Sequence, residues 1–145
     1  MNEVHWATLA GYPLLATLQL LPLLGTLLLL ILRKARLAVA IGRLFAVAEL
    51  VVALDLYARI EVSDSVMQFA ERLDLLAYHA AADGISVLFI LLTALLGVLL
   101  AFYGMARQQV TPVHLLAVLL LIEAALMSML TTMNLLWFAA ASALQ

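Results

Sequence analysis

Asp83-Gly84-Ile85-Ser86-Val87-Leu88-Phe89-Ile90-Leu91-Leu92-Thr93-Ala94-Leu95-Leu96 decides how this chain is read. An acidic residue opens the stretch, and the apolar run behind it reaches Tyr103 without a formal charge. Twenty such residues wound as an α-helix cover about 30 Å, the hydrocarbon thickness of a bilayer. The segment from about 84 to 103 therefore reads as a membrane span. Asp83 is placed as its helix cap, where unpaired amides and the helix dipole favour an anion.

The rest of the chain has the same character. Of its 145 residues, 68% are hydrophobic and 11% charged, whereas a soluble domain is nearer half apolar and a quarter charged. Lipid must be the solvent over most of this length. There is no cysteine, which excludes disulfides, thiolate metal sites and cysteine nucleophiles. The net charge is -2, and no basic run points to nucleic acid. Met1-Asn2-Glu3-Val4-His5 lacks the positive region of a cleavable signal, so the first span is expected to stay in the protein.

Further spans lie on both sides. Residues 14–32 form an apolar run closed by Arg33, Lys34 and Arg36, with Pro22 expected to bend it mildly. A second span covers about 38–57 and carries Glu49 and Asp55. The polar connection after it includes Ser63 and Asp64, either of which can cap a short helix through Val66, Met67, Phe69, Ala70, Leu73 and Ala77. Those apolar residues return at spacings of three and four, as in a helix lying on a membrane surface. Thr111 and Pro112 open a fourth span, about 112–130. An unbroken helix from there to Gln145 would be about 50 Å long, longer than a membrane is thick. A break at Thr131-Thr132-Met133-Asn134 and a partial helix over 134–145 are expected instead. No internal repeat or linker divides the chain, so it reads as a single membrane domain over 1–145. Arg33, Lys34, Arg36 and Arg107 follow the first and third spans. The positive-inside rule places those turns in the cytoplasm and the N-terminus outside, with the inner (cytoplasmic) membrane of a prokaryote as the expected location.

Two residues stand out chemically. Glu49 falls near the centre of the second span and Glu123 near the centre of the fourth. A charge at such depth costs about 2.5–3.5 kcal/mol on insertion scales. Either the carboxyls are protonated, or a partner or water compensates them. They read as part of a proton path or a subunit contact, or alternatively as neutral hydrogen-bond donors between packed helices. Asp55 and Arg59 are four apart and suit an ion pair at a helix end. His79 and His114 are expected at opposite membrane faces, and neither has metal-ligand spacing to a second ligand. Met127, Met129, Met133, Trp137 and Phe138 form a soft apolar patch suited to helix packing, and Ala139 to Ala143 are small enough for close helix approach. No catalytic, cofactor-binding or metal-binding constellation is visible.

Asp83-Gly84-Ile85-Ser86 with Leu88-Phe89 and Leu92-Thr93-Ala94-Leu95, preceded by Tyr78-His79, resembles the third-helix signature of the antiporter-like membrane subunits of proton-pumping NADH:quinone oxidoreductase, complex I, especially the chain 4 type. Pro13-Leu14-Leu15 and Leu20 to Gly25 look like that family's first helix. Leu121 to Met127, then Asn134-Leu135-Leu136-Trp137-Phe138, look like its fourth helix and the start of its fifth. The resemblance implies an all-α integral membrane fold, here a truncated antiporter-like one with four transmembrane helices and a short C-terminal apolar helix. The family's pumping glutamate would fall nine positions after Asn134, where this sequence has Ala143, and the family's lysine helices have no counterpart here.

The expectation is an accessory subunit of an ion-translocating complex, with no cofactor and no activity alone. Its partners would be a full-length antiporter-like subunit, further subunits of the complex and the bilayer. Complex I, cation/proton antiporters, membrane-bound hydrogenases and proton-coupled inorganic-carbon uptake complexes are the settings the resemblance implies. The alternative is a purely structural scaffold with no ion path.

Overall fold

A computed structural model of the chain describes residues 13–32, 37–60, 68–73, 78–103, 112–132, 139 and 142–143. The elements run α1 (Leu14–Ile31), α2 (Ala38–Arg59), β1 (Gln68–Leu73), β2 (Tyr78–Ala82), α3 (Gly84–Tyr103) and α4 (Pro112–Thr131). Helices α1, α3 and α4 are long and apolar enough to cross a membrane. Helix α2, at 22 residues, is also long enough, but Arg43, Glu49, Asp55 and Arg59 interrupt its apolar run. The expected ends of all four agree with the observed ones to within two residues. Most of the expected C-terminal helix lies outside the described residues; Ala139, Ser142 and Ala143 are helical.

The helices form a four-cornered bundle. Each packs on its neighbours in the cycle α1, α2, α3, α4, and α2 also meets α4 across the diagonal. Helix α4 runs antiparallel to α1, as two cross-links show: Thr26 Oγ1 donates to the Ala117 carbonyl at 3.3 Å, and Gln19 Nε2 donates to Thr131 Oγ1. Helix α1 continues through Pro22, which is buried; the carbonyl of Pro22 accepts a 2.9 Å bond from the Thr26 hydroxyl. Two apolar clusters fill the interior. One lies at the hairpin end, with Leu18, Leu56, Ala80, Ile90 and Met127. The other lies at the opposite end, with Leu29, Ala46, Ala101, Leu116 and Leu120.

The connection between α2 and α3 corrects the expected surface helix. Residues 68–73 and 78–82 pair as an antiparallel hairpin, Arg72 opposite His79 and Leu73 opposite Tyr78, with an irregularity in register between Gln68 and Glu71. Ala80 also bridges to Thr132 just beyond α4. Over so short a run, apolar residues at Phe69, Ala70 and Leu73 do not separate the helical period from a strand with a bulge. Docking on the bundle end, through Ala80 and Ala82 in the apolar cluster, supplies what the local pattern leaves open.

The distribution of side chains is that of a bundle in lipid. Leu20, Leu24, Leu27, Leu88, Phe89, Leu92, Leu96 and Leu99 face outward, while Gln19, Thr26, Glu49, Glu123 and Thr131 are buried. Acyl chains solvate such an exterior as well as another helix would, so the helices associate through close packing and polar contacts. Helix α4 shows the close packing most clearly. A Cβ at Gly42 on α2 would meet Leu116 Cδ1 at 2.9 Å, and one at Gly25 on α1 would meet both Leu120 Cδ1 and Phe45 Cγ at 2.9 Å.

Candidate functional site

The register of α2 against α4 creates the site. Gly42 lies against Leu116, and seven residues further along each of these parallel helices come Glu49 (42 + 7) and Glu123 (116 + 7). Seven residues are about two helical turns, so the face that seats Leu116 on Gly42 also brings the two carboxyl groups together. They lie close enough to act on each other electrostatically. Glu49 is 0% exposed and Glu123 3%, so both point into this chain's own bundle and not toward a second subunit.

Gly97 on α3 completes the arrangement. A Cβ there would overlap the Glu123 carboxyl. The carboxyl of α4 thus occupies a notch in the α3 backbone that any other residue would fill. Among the described residues, none donates a well-formed hydrogen bond to any of the four carboxyl oxygens. Buried polar atoms are ordinarily paired, and two neighbouring acids without a cation between them carry at most one charge together.

Other candidate residues have ordinary roles. Asp83 caps α3: its Oδ1 accepts the Ser86 amide at 2.7 Å. Bonds from the Ser86 side chain and backbone hold the Asp83 carboxyl below its usual range. Asp55 and Arg59 form the expected ion pair at 2.9 Å, partly exposed near the end of α2. Such pairs contribute little. His79 lies on β2 and His114 near the start of α4, at opposite ends of the bundle. Met127 is buried in the hairpin-end cluster; Met133, Trp137 and Phe138 lie outside the described residues. Among the described residues, no group of His, Asp and Glu is placed to hold a metal ion.

Sequence reading passes over two residues. Arg43, within α2, donates from Nε to the Ala101 carbonyl at 3.4 Å and lies 4.9 Å from the centre of the Phe102 ring. An arginine five residues from the start of such a helix can anchor it at the membrane boundary by reaching outward. Gly97 carries a signal of its own kind: an isolated glycine within a helical run commonly marks a close approach. Nothing in its neighbours says that the approaching group is a carboxyl from α4.

Comparison with protein-family models gives no match, and comparison with curated proteins finds no similar one.

Proposed function

We propose that the chain is an accessory membrane subunit of an ion-translocating complex, in which the Glu49–Glu123 pair binds and releases a proton within the bilayer. The observation that carries this reading is the pair itself: two acids, fully inside a bundle with an apolar exterior, facing each other with no cation or regular donor beside them among the described residues. Intramembrane acids are costly, and those that persist commonly serve ion or proton movement. Helix α2 is the fourth span in this reading. Its charges other than Glu49 lie toward its two ends, Arg43 at one and the Asp55–Arg59 pair at the other.

The resemblance of the 83–96 segment to complex I antiporter-like subunits supports the assignment to a complex. A full-length antiporter-like subunit is the partner that this resemblance suggests. The basic turns after α1 and α3 favour a cytoplasmic position for that end, in a prokaryotic inner membrane. In the purified complex reconstituted into vesicles, Glu123→Gln is expected to lower proton-coupled transport at least tenfold while assembly persists. Unchanged transport with normal assembly removes the pair from the mechanism.

One observation favours a second reading. The apolar clusters at both ends of the bundle flank the pair, so no continuous polar route leads to it through the described residues. A scaffold subunit with a neutral, locked acid pair would have this arrangement. It predicts that Glu49→Gln combined with Glu123→Gln spares both transport and assembly.

A further inference from the structure

We infer that Glu49 and Glu123 form one site that binds a single exchangeable proton between two carboxyl groups, with Gly97 as the positioning residue that holds them in contact. The inference rests on the proton-handling reading and deepens it by giving the stoichiometry and the residue that holds the pair together. It stands on three observations. The two side chains are at least 97% buried and face each other. All four oxygens are free of regular hydrogen bonds from other described groups. The Glu123 carboxyl fills the place of a side chain at Gly97.

The surroundings select the ligand. Along α2 the buried residues on either side of Glu49 are Ala46 and Ala53, and along α4 those beside Glu123 are Leu120 and Met127. None brings a side-chain oxygen or nitrogen. A divalent hard cation takes about six or more oxygens, and among the described residues the unpartnered buried side-chain oxygens here are the four of the two carboxyls. A proton needs two: it completes an O–H on one carboxyl that donates to the ionised oxygen of the other, the short charge-assisted bond that a low dielectric strengthens. Two ionised acids would repel without compensation.

The titratable neighbours leave the pair alone. Helix α1 brings no acidic or basic side chain and α3 brings only Tyr103, at its end. On α2, Arg43 and Asp55 each lie six residues from Glu49, about 9 Å along the axis. Arg43 reaches Ala101 and Phe102, and Asp55 pairs with Arg59. On α4, His114 is nine residues from Glu123 and exposed. On the hairpin, His79 and Tyr78 belong to β2 at the bundle end.

The test is a pH titration of the carboxylic-acid C=O stretch by infrared spectroscopy, on the full chain in lipid vesicles. Glu49→Gln and Glu123→Gln are each expected to leave one acid, whose band then titrates alone. Each is also expected to move the titration of the surviving acid by about tenfold or more in proton concentration, because the two titrate as one unit. Survivors that titrate as in the unsubstituted protein would overturn the shared site. Disappearance of the acid band at fixed pH when choline is replaced by sodium would overturn the proton as ligand. Gly97→Ala is expected to abolish the coupling, since the added methyl displaces the Glu123 carboxyl. Glu123→Asp, which withdraws the carboxyl without adding atoms, is expected to do the same. Coupling that survives both changes in folded protein overturns the positioning role. The readout needs no transport assay: intact coupling with unaffected transport in Glu123→Gln would keep the shared site and remove the transport reading alone.

Discussion

Gln19 and Thr131 meet near the hairpin end of the bundle as Glu49 and Glu123 meet at its middle: one buried polar side chain from each of two helices. The chemistry differs completely. Gln19 Nε2 donates to Thr131 Oγ1, and that hydroxyl donates in turn to the Met127 carbonyl at 2.8 Å. Donor and acceptor are matched and the chain of bonds ends on backbone. In the middle layer two acceptors face each other, and only a proton can turn one of them into a donor. The outer layer has a complete bonding pattern at any pH where proteins fold. The inner layer has one only when a proton is present. A rule of interior design is kept in one place and broken in the other, and such breaks concentrate where a protein does something besides fold.

The two layers should therefore respond with opposite sign to apolar replacement. The largest effect is expected from Glu49→Met with Glu123→Met, unbranched side chains of similar reach. Proton-coupled transport by the complex should fall at least tenfold. The thermal midpoint of the purified chain in detergent should stay or rise, because an acid pair without donors is removed in favour of packing. A lowered midpoint would identify the pair as structural glue and move the weight to the scaffold reading. Next in size is Thr131→Val. It strands the Gln19 amide in the interior and should cost about 1 kcal/mol, within the range of interhelical bonds in membranes, with transport per assembled complex unchanged. A transport defect there would show that the two layers work together and would break the contrast.

The glycines sharpen the same comparison at smaller scale. Gly25→Ala must push both Leu120 and the Phe45 ring, whereas Gly42→Ala meets chiefly the flexible ends of Leu116 and Leu29, at 2.9 and 3.1 Å. Overpacking of this kind costs about 1–3 kcal/mol, and Gly25→Ala should fall at the upper end and Gly42→Ala at the lower. Equal thermal shifts for the two would mean that the ring moves as easily as a leucine methyl.

Much of this arrangement is legible in the residues. Three apolar runs of span length, the bounds of the more polar helix α2, the cap at Asp83, the Asp55–Arg59 pair and the isolation of Glu49 and Glu123 from lysine or arginine at their own depth all follow from spacing and charge. The hairpin does not, because Gln68 to Leu73 carries a period that suits helix and bulged strand alike, and its docking on the bundle is a tertiary fact. The contact between Glu49 and Glu123 is hidden for a related reason. The acids lie 74 positions apart in sequence, and only the diagonal approach of α2 to α4 and the notch at Gly97 unite them. A sequence states how deep each acid sits along its helix; it does not state which way the helices are turned.

Asp83 provides the smallest and most controlled contrast, since it is an acid with the donors that the buried pair lacks. Its folded form favours ionisation through the Ser86 bonds. Its contribution is therefore complete above the ordinary aspartate range and is lost as pH falls through the lowered folded value. The thermal midpoint of the chain in detergent should accordingly drop as pH falls below about 4, the ordinary aspartate value. Asp83→Asn keeps an oxygen for the Ser86 amide, so it should hold the midpoint near neutrality and flatten this acid limb. Asp83→Ala should lose about 1 kcal/mol, as caps commonly do. If the limb persists in Asp83→Asn, the acid response comes from elsewhere, and Asp55, ion-paired with Arg59, becomes the next residue to replace, because a proton completes the bonding of the buried pair and does not break it.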